Sequence, residues 1–194
     1  MNKIKVLFLA ANPFKDLNLD VEVRSITEKI RASEYRDHLQ LIPALAVRPD
    51  DLLQLLNEHK PHIVHFSGHG SELGEIVLAD NNGAPKVVSI KAMKALMTTL
   101  KDNIQLVILN ACYTKEHATA ITEVINCAIG MNAAIEDPAA IVFAASFYRA
   151  VGFARSVQEA FDQGLAALAL EGFMDNSTPE FFIKDGVDPS EVFF

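Results

Sequence analysis

Cysteine is scarce in this sequence: the 194 residues include only Cys112 and Cys127. Two thiols are too few for the disulfide framework of a small secreted scaffold, so the pair favours a reducing compartment. A single bridge between the two stays open on sequence grounds. Blocks of basic residues are missing as well, and the formal charge is −8. We therefore do not expect nucleic acid or an anionic membrane to be the main partner.

Long apolar runs are also absent. The N-terminal run from Val6 to Ala11 is shorter than the core of a signal peptide and stops at Asn12-Pro13. No segment approaches the roughly 20 consecutive apolar residues of a membrane-spanning helix. Because 50% of the residues are hydrophobic, the chain can still bury a core without disulfides. We expect one domain over residues 1–194, located in the cytoplasm.

Strands and helices alternate along the chain. Helical stripes such as Leu19, Val23, Ile26 and Ile30 separate continuous apolar runs, which are typical of strands covered on both faces. These runs predict five strands: Lys3 to Ala11, Leu39 to Val47, His62 to Gly70, the apolar part of Asn103 to Thr114, and Cys127 to Met131.

Two further pieces complete the predicted sheet. Short alternating segments from Glu75 to Leu78 and from Lys86 to Val88, joined by a turn at Asp80 to Gly83, predict a hairpin, and Phe181 to Lys184 predicts an edge strand. The fold class is therefore α/β, with a mostly parallel sheet flanked by helices and a hairpin insertion after the third strand. Sites in such sheets form beyond the carboxyl ends of the strands.

Two strand ends carry residues that suit covalent catalysis. The third strand runs into Ser-Gly-His-Gly and delivers His69, and the fourth ends in a short polar segment with Cys112. Cysteine-dependent acyl transfer needs this pair, because the imidazole takes the thiol proton and later returns one to the leaving group. A free cysteine is more often a small buried hydrophobe, but the preceding Asn110 and the histidine partner favour the catalytic interpretation.

Three more residues are candidates for the substrate pocket. Asn110 lies two residues before Cys112 and shares its face of an extended strand, so we expect it beside the nucleophile. Asn12 ends the first strand, where a loop carbonyl near it would orient His69. Asp137 lies near the fifth strand's end, although an N-cap role before Pro138 explains it equally well.

The remaining histidines and cysteine have simpler explanations. His65 precedes His69 by four residues, which is roughly 13 Å in a strand and too far for shared chelation, so we expect a core residue. His38, His59, His62 and His117 show no partner pattern and are expected at the surface or at helix ends. Cys127 opens an apolar strand and is expected to be structural. We predict no metal and no cofactor.

The segment HFSGHG, followed by a strand ending LNAC, resembles the CHAT domains, bacterial relatives of the caspases. Later segments resemble that family's C-terminal half: Ala128 to Met131, Asp137 to Ala140, and Phe147 to Arg149. The interval between His69 and Cys112 also suits caspase-type enzymes, in which about 50 residues separate the two. One departure is that the chain reads Asn-Ala-Cys-Tyr-Thr where caspases have Gln-Ala-Cys-x-Gly.

The resemblance implies a caspase-like fold and a cysteine endopeptidase. It makes Cys112 the nucleophile, His69 the general acid/base, and the backbone N–H groups of Gly70 and Cys112 the oxyanion hole. It further implies a protein substrate and an effector that a sensor switches on in bacterial defence or regulated cell death. No sensor is visible, so a regulatory protein or a further domain is expected.

Two rival functions stay open. A catalytically silent protein of this fold would act as an interaction module, which the intact His-Gly and Ala-Cys pairs disfavour. A flavodoxin-like nucleotide binder is disfavoured because the first strand ends in Ala-Asn-Pro-Phe, without a glycine-rich phosphate loop.

Selectivity on the acyl side of the cut is expected to favour a neutral residue. The metacaspase branch resembles this chain but has an aspartate where Asn110 stands, and an amide cannot neutralise a buried cation. Lys15 is the only cation in the loop after the first strand, which argues against strict aspartate selection. Asp16, Glu136 and Asp137 remain acids within possible reach of the pocket.

Overall fold

The computed structural model describes residues 3–71, 73–173 and 177–194. Within them, eight strands form the sheet: β1 (Ile4–Ala11), β2 (Leu39–Leu45), β3 (Ile63–Gly70), β4 (Ile76–Ala79), β5 (Pro85–Val88), β6 (Leu106–Asn110), β7 (Cys127–Met131) and β8 (Pro179–Ile183). Six α-helices accompany them: α1 (Leu19–Arg31), α2 (Pro49–His59), α3 (Ile90–Leu100), α4 (Lys115–Ile121), α5 (Asp137–Gly152) and α6 (Val157–Leu170).

The strand order is β2-β1-β3-β6-β7-β8, and the first five of these strands run parallel. Strand β8 closes one edge antiparallel to β7, and the β4–β5 hairpin pairs with the end of β3. The predicted α/β class, with its hairpin insertion, is confirmed. Strand β2 ends at Leu45, two residues before the expected end, since Ala46 has a φ of 53° that an extended strand does not allow.

Alternate residues of the central strands supply two separate cores, because successive side chains point to opposite faces of a sheet. On β1, Val6, Phe8 and Ala10 pack in the cluster that includes α1, α5 and α6. Their neighbours Leu7 and Leu9 pack in the cluster that includes α2, α3 and α4. Both faces of the sheet are thus covered, which explains the uninterrupted apolar strands.

The start of α5 differs from the prediction by one residue. Glu136 is the N-cap and Asp137 is already inside the first turn, and Glu136 makes no side-chain capping bond. Asp137 instead bonds across to the β1–α1 loop: its Oδ2 accepts from the backbone N (3.1 Å) and from Nδ2 (2.7 Å) of Asn18. The carboxylate therefore ties two loops together at the carboxyl edge of the sheet.

None of the helices in the described ranges has the length and apolar character required to cross a bilayer.

Candidate active site

Strand β3 delivers His69 to the carboxyl edge of the sheet, where the β1–α1 loop receives its ring. The Nε2 atom lies 2.9 Å from Oδ1 of Asp16 and 3.3 Å from Oδ1 of Asn12. Phe14 packs edge-on against the imidazole, with ring centroids 4.8 Å apart. Since both polar neighbours of Nε2 are acceptors, this nitrogen is the donor of the neutral ring. The other nitrogen, Nδ1, is then left to accept a proton.

Asn12 folds the loop that places Asp16 beside the histidine. Its Oδ1 accepts from the backbone N of Asp16 at 3.2 Å, and its Nδ2 donates to the Leu17 carbonyl at 2.9 Å. The turn passes through Lys15, whose φ is 60°. Asn12 therefore lies close to His69, as expected. The acceptor nearer to His69 Nε2 is the side chain of Asp16, however, and not the loop carbonyl that was expected.

Cys112 follows the end of β6 and lies in a turn against the loop after β7. The Ile135 backbone N–H donates to its Sγ at 3.4 Å, and the Ile135 carbonyl lies 3.8 Å from the same atom. The next residue, Tyr113, has a φ of 58° and donates its backbone N–H to the Ala133 carbonyl at 3.2 Å. The thiol is partly exposed and held at the sheet edge.

Cys127 is fully buried, whereas Cys112 is partly exposed. The Cys127 side chain has no exposed surface at the start of β7, as expected for a structural residue. Burial raises the pKa of the Cys127 thiol to about 11, so it carries almost no thiolate at neutral pH.

Gly70 brings the two strand ends into contact. A Cβ atom at this position would lie 1.7 Å from the Cys112 carbonyl oxygen and 3.3 Å from the Cys112 nitrogen. Only glycine allows this approach of backbone to backbone. The residue after the histidine and the candidate nucleophile are therefore neighbours in space. The oxyanion hole assigned to the N–H groups of Gly70 and Cys112 stays a prediction.

Asn110 does not lie on an open pocket wall, which differs from the expected position. It is 3% exposed, and its Nδ2 donates to Oε1 of Glu22 at 2.7 Å and to the Ala140 carbonyl at 3.2 Å. The physical reason is that Asn110 is still part of β6 and faces helix α1, whereas Cys112 has already left the strand. Shared orientation of residues two apart holds only while both are extended.

Glu22 is the residue that sequence reasoning missed at this edge. It is 1% exposed, although its side chain is ionisable, and it belongs to the buried side of α1 with Leu19, Ile26 and Ile30. The signal was present: Glu22 lies three residues after Leu19 and four before Ile26, on the apolar stripe itself. A carboxylate at a buried helical position requires partners, and these come from the sheet.

Two histidines show opposite outcomes. His65 is a buried core residue, as predicted; its ring stacks on Phe8 with centroids 4.9 Å apart, and its Nδ1 lies 3.1 Å from the Tyr148 hydroxyl. His117 was expected at the surface or at a helix end; it lies in the first turn of α4, but its ring is fully buried and its Nδ1 donates to the Gly74 carbonyl at 2.6 Å, so the surface position is wrong. Burial lowers the pKa of His117.

A cleft of about 380 Å³ adjoins the Ile135 segment, whose backbone contacts Cys112 Sγ. Its described walls come from the β7–α5 loop, the start of α5 and the segment after α6, and Glu136 is the ionisable residue among them. These lining residues are Ala134, Ile135, Glu136, Ala139, Gly172, Phe173 and Thr178.

Comparisons by sequence give a family and two curated relatives. The family model described as CHAT domain matches residues 17–171. A "Probable protease" of Gillisia limnaea is 32% identical over 148 residues, which cover 74% of this chain and 26% of that protein. A "Roc-COR-CHAT protease" from an unknown prokaryotic organism is 28% identical over 154 residues, which cover 75% of this chain and 14% of that protein. The chain thus spans about a quarter or less of these relatives.

Comparisons by structure give the fold. A secreted cysteine protease from Bacteroides thetaiotaomicron, solved with an irreversible peptide inhibitor, matches with a TM-score of 0.68 at 11% identity, covering 93% of this chain and 66% of that one. The Arg-specific cysteine proteinase gingipain R matches with a TM-score of 0.66 at 13% identity, covering 97% of this chain and 47% of that one. The caspase-like architecture is therefore shared with cysteine proteases of very different sequence.

Proposed function

We propose that this chain, which belongs to the CHAT domain family, is a caspase-like cysteine endopeptidase that cuts a partner protein with a dyad of His69 and Cys112. The observation that carries the proposal is the contact between Gly70 and the Cys112 backbone, with a Cβ-to-oxygen distance of 1.7 Å that forbids any side chain. This approach brings the ends of the histidine and cysteine strands together. The protease names of the curated relatives support the same function.

The dyad works by transferring one proton back and forth. His69 Nδ1 takes the Cys112 proton while Sγ attacks the substrate carbonyl carbon, and the N–H groups of Gly70 and Cys112 stabilise the oxyanion. The imidazolium then protonates the leaving amine as the C–N bond breaks. Water, deprotonated by His69, hydrolyses the thioester and restores the thiol. Asp16, 2.9 Å from Nε2, stabilises the imidazolium and holds the required tautomer.

The substrate residue on the acyl side of the cut is proposed to be neutral. Asn110 is bonded into the interior and presents no charge, and the cleft beside Ile135 has Glu136 as the one ionisable residue among its described walls. Asn12 and Asp137 border the site through the β1–α1 loop, and the Asp137 carboxylate is already occupied by Asn18. An acidic side chain would therefore find no cation among the described walls of the cleft, and a basic one would meet Glu136 alone, without the second acid that a buried cation needs.

We further propose a cytoplasmic effector role in bacterial defence or regulated cell death, with activity controlled by a sensor. The basis is the family and the length of the relatives: the chain covers 14% of a protein whose name joins Roc, COR and CHAT parts. In such a protein the remaining chain would supply the regulator. The partner is then a protein substrate together with a regulatory protein or domain, without nucleic acid or membrane.

A catalytically silent interaction module is the second candidate. One observation favours it: the contacts described for Cys112 Sγ are with the backbone of Ile135. A thiol held in that position has to turn away from Ile135 before it attacks a substrate. In the active enzyme this rotation occurs when a peptide or an electrophile binds, whereas in a silent module it does not occur.

Profiling with a diverse peptide library, in the presence of the native regulator where one is found, tests the proposal. We expect cleavage that Cys112→Ala and His69→Ala each abolish, while Cys127→Ser cleaves as the wild type does and all variants stay folded in thermal melts. Cleavage retained in Cys112→Ala would exclude the nucleophile. A dominant Arg, Lys or Asp signal would refute the neutral preference. Absence of an adduct with a peptidyl electrophile would favour the silent module.

A further inference from the structure

Glu22 is a buried carboxylate that the proposed chemistry does not use. Helix α1 directs it at the sheet, where its two oxygens accept hydrogen bonds from two different strands. Oε1 accepts from Asn110 Nδ2 at 2.7 Å, and Oε2 accepts from the Ser67 hydroxyl. The Glu22 side chain is 2% exposed. A carboxylate removed from water at this depth is tolerated because donors surround it.

Ser67 and Asn110 occupy equivalent places on the two strands that lead to the dyad. They are register partners, and they form the last pair of the parallel β3–β6 ladder. Each also precedes a dyad residue by two positions, Ser67 before His69 and Asn110 before Cys112. The Glu22 carboxylate therefore bridges the two strands at the point where their own pairing ends and the catalytic residues begin.

Two further side chains, His65 and Tyr148, lie behind the carboxylate. His65 Nε2 lies 3.2 Å from Glu22 Oε1, without hydrogen-bond alignment, and His65 Nδ1 lies 3.1 Å from the Tyr148 hydroxyl. Burial, with the Glu22 charge second, raises the Tyr148 pKa well above its ordinary value, so the phenol keeps its proton and can donate it to His65. The second N–H of the Asn110 amide goes to the Ala140 carbonyl at 3.2 Å.

We propose that Glu22 is a positioning residue for the dyad: its carboxylate locks the Ser67–Asn110 pair and so sets the spacing of His69 and Cys112. The inference rests on the proposed function. The Glu22 carboxylate is rigid and has two acceptor oxygens, which match the two donors on the two strands. A carboxamide cannot accept from both donors in this way, because it has only one acceptor oxygen. Loss of the lock is expected to let the strand ends shift, and small displacements of reacting groups cost large factors in rate.

The test measures alkylation of Cys112 by iodoacetamide in the full chain, which requires neither substrate nor activator. Glu22→Gln is expected to slow Cys112 labelling about tenfold. Glu28→Gln, the same substitution at an exposed site of the same helix, is the control and is expected to label as the wild type does. Cys127 is an internal reference, because it is fully buried and labels only if the fold loosens.

Exchanging the hydrogen-bond donor and acceptor between Glu22 and Asn110 distinguishes a positioning role of Glu22 from a contribution to the stability of the fold. Asn110→Asp alone places a second carboxylate against Glu22 and is expected to slow labelling, since like charges at this distance repel. The double variant Glu22→Gln with Asn110→Asp restores a donor facing an acceptor between these two side chains but leaves the Ala140 carbonyl without its donor, so its labelling is expected to be faster than in either single variant and slower than in the wild type. Ser67→Ala is a milder variant that removes one donor and keeps the charge; about threefold slower labelling is expected.

The outcomes are distinct. Wild-type labelling in both Glu22→Gln and Ser67→Ala, or Cys127 labelling that rises together with the loss at Cys112, would overturn the positioning role. A double variant that labels no faster than either single variant would overturn it as well. His69→Ala, measured in parallel, reports on the dyad itself: unchanged Cys112 labelling there refutes the proposed function, whereas slow labelling in His69→Ala with normal labelling in Glu22→Gln refutes only the role of Glu22.

Discussion

Gly70→Ala is the substitution for which the structure gives the clearest magnitude. The new Cβ would lie 1.7 Å from the Cys112 carbonyl oxygen. Ordinary carbon–oxygen contacts begin at about 3.3 Å, so the end of β3 and the Cys112 turn must separate by about 1.6 Å. Overpacking of this kind costs about 1–3 kcal/mol of stability. A displacement of about 1 Å between reacting groups costs about 100-fold in rate, so we expect at least that loss.

The assay is the second-order rate of Cys112 modification by a peptidyl electrophile, with thermal melts alongside. Gly83→Ala is the matched control, because its added Cβ meets no atom within 4 Å while its φ of 80° strains any side chain. It should lose about 1–2 kcal/mol of stability and keep the wild-type rate. A Gly70→Ala protein that reacts as fast as the wild type would refute the claim that this contact sets the geometry of the dyad.

Three further predictions concern single groups. Cys127 should resist iodoacetamide up to a pH near its pKa of about 11, while Cys112 labels at neutral pH, as peptide mass spectrometry will show. Asp16→Ala should slow peptide hydrolysis about fivefold or less, because this carboxylate is 61% exposed and exposed pairs contribute little, whereas Asp20→Ala should have no effect. Stability should fall as the pH drops below about 6.5, since burial lowers the His117 pKa and protonation then favours the unfolded chain. Urea unfolding at pH 7.5 and pH 5.5 measures this loss, and His117→Gln should reduce it by up to about 1.4 kcal/mol per pH unit. If His117→Gln loses as much stability as the wild type between these two pH values, the loss does not come from His117.

Much of the fold followed from hydrophobic patterning. Apolar residues dominate β1, β3 and β7, so these strands were predicted to within a residue of their observed bounds. The strand ends that carry His69 and Cys112 were placed for the same reason, because a run from apolar to polar residues marks where a buried strand reaches the edge of its sheet.

The parts that could not be predicted depend on three-dimensional contacts. The fully buried His117 donates to Gly74, a residue 43 positions earlier in the chain, and nothing in its own helix announces that partner. Asp16 reaches His69 only because Asn12 and the positive φ of Lys15 turn the loop back on itself. Local pattern specifies which face of an element is apolar, but not which distant donor or acceptor meets a polar residue on that face.

Glu22 and Asn110 show the same limit at the centre of the site. A glutamate on an apolar stripe signals a buried partner, yet the identity of that partner required the β3–β6 register. Asn110 was expected to point the same way as Cys112 because both were treated as strand residues. Strand β6 ends at Asn110, so Cys112 is not extended and the expectation does not hold.

The central claim is that His69 makes Cys112 a nucleophile toward peptide carbonyls. The most direct measurement is reaction with a peptidyl acyloxymethyl ketone that carries a neutral residue next to the warhead, followed by intact-mass and peptide mapping. We expect a single thioether adduct on Cys112 in the wild type and in Cys127→Ser, and loss of the adduct in His69→Ala. An adduct on Cys127, or equal rates at Cys112 with and without His69, would contradict it.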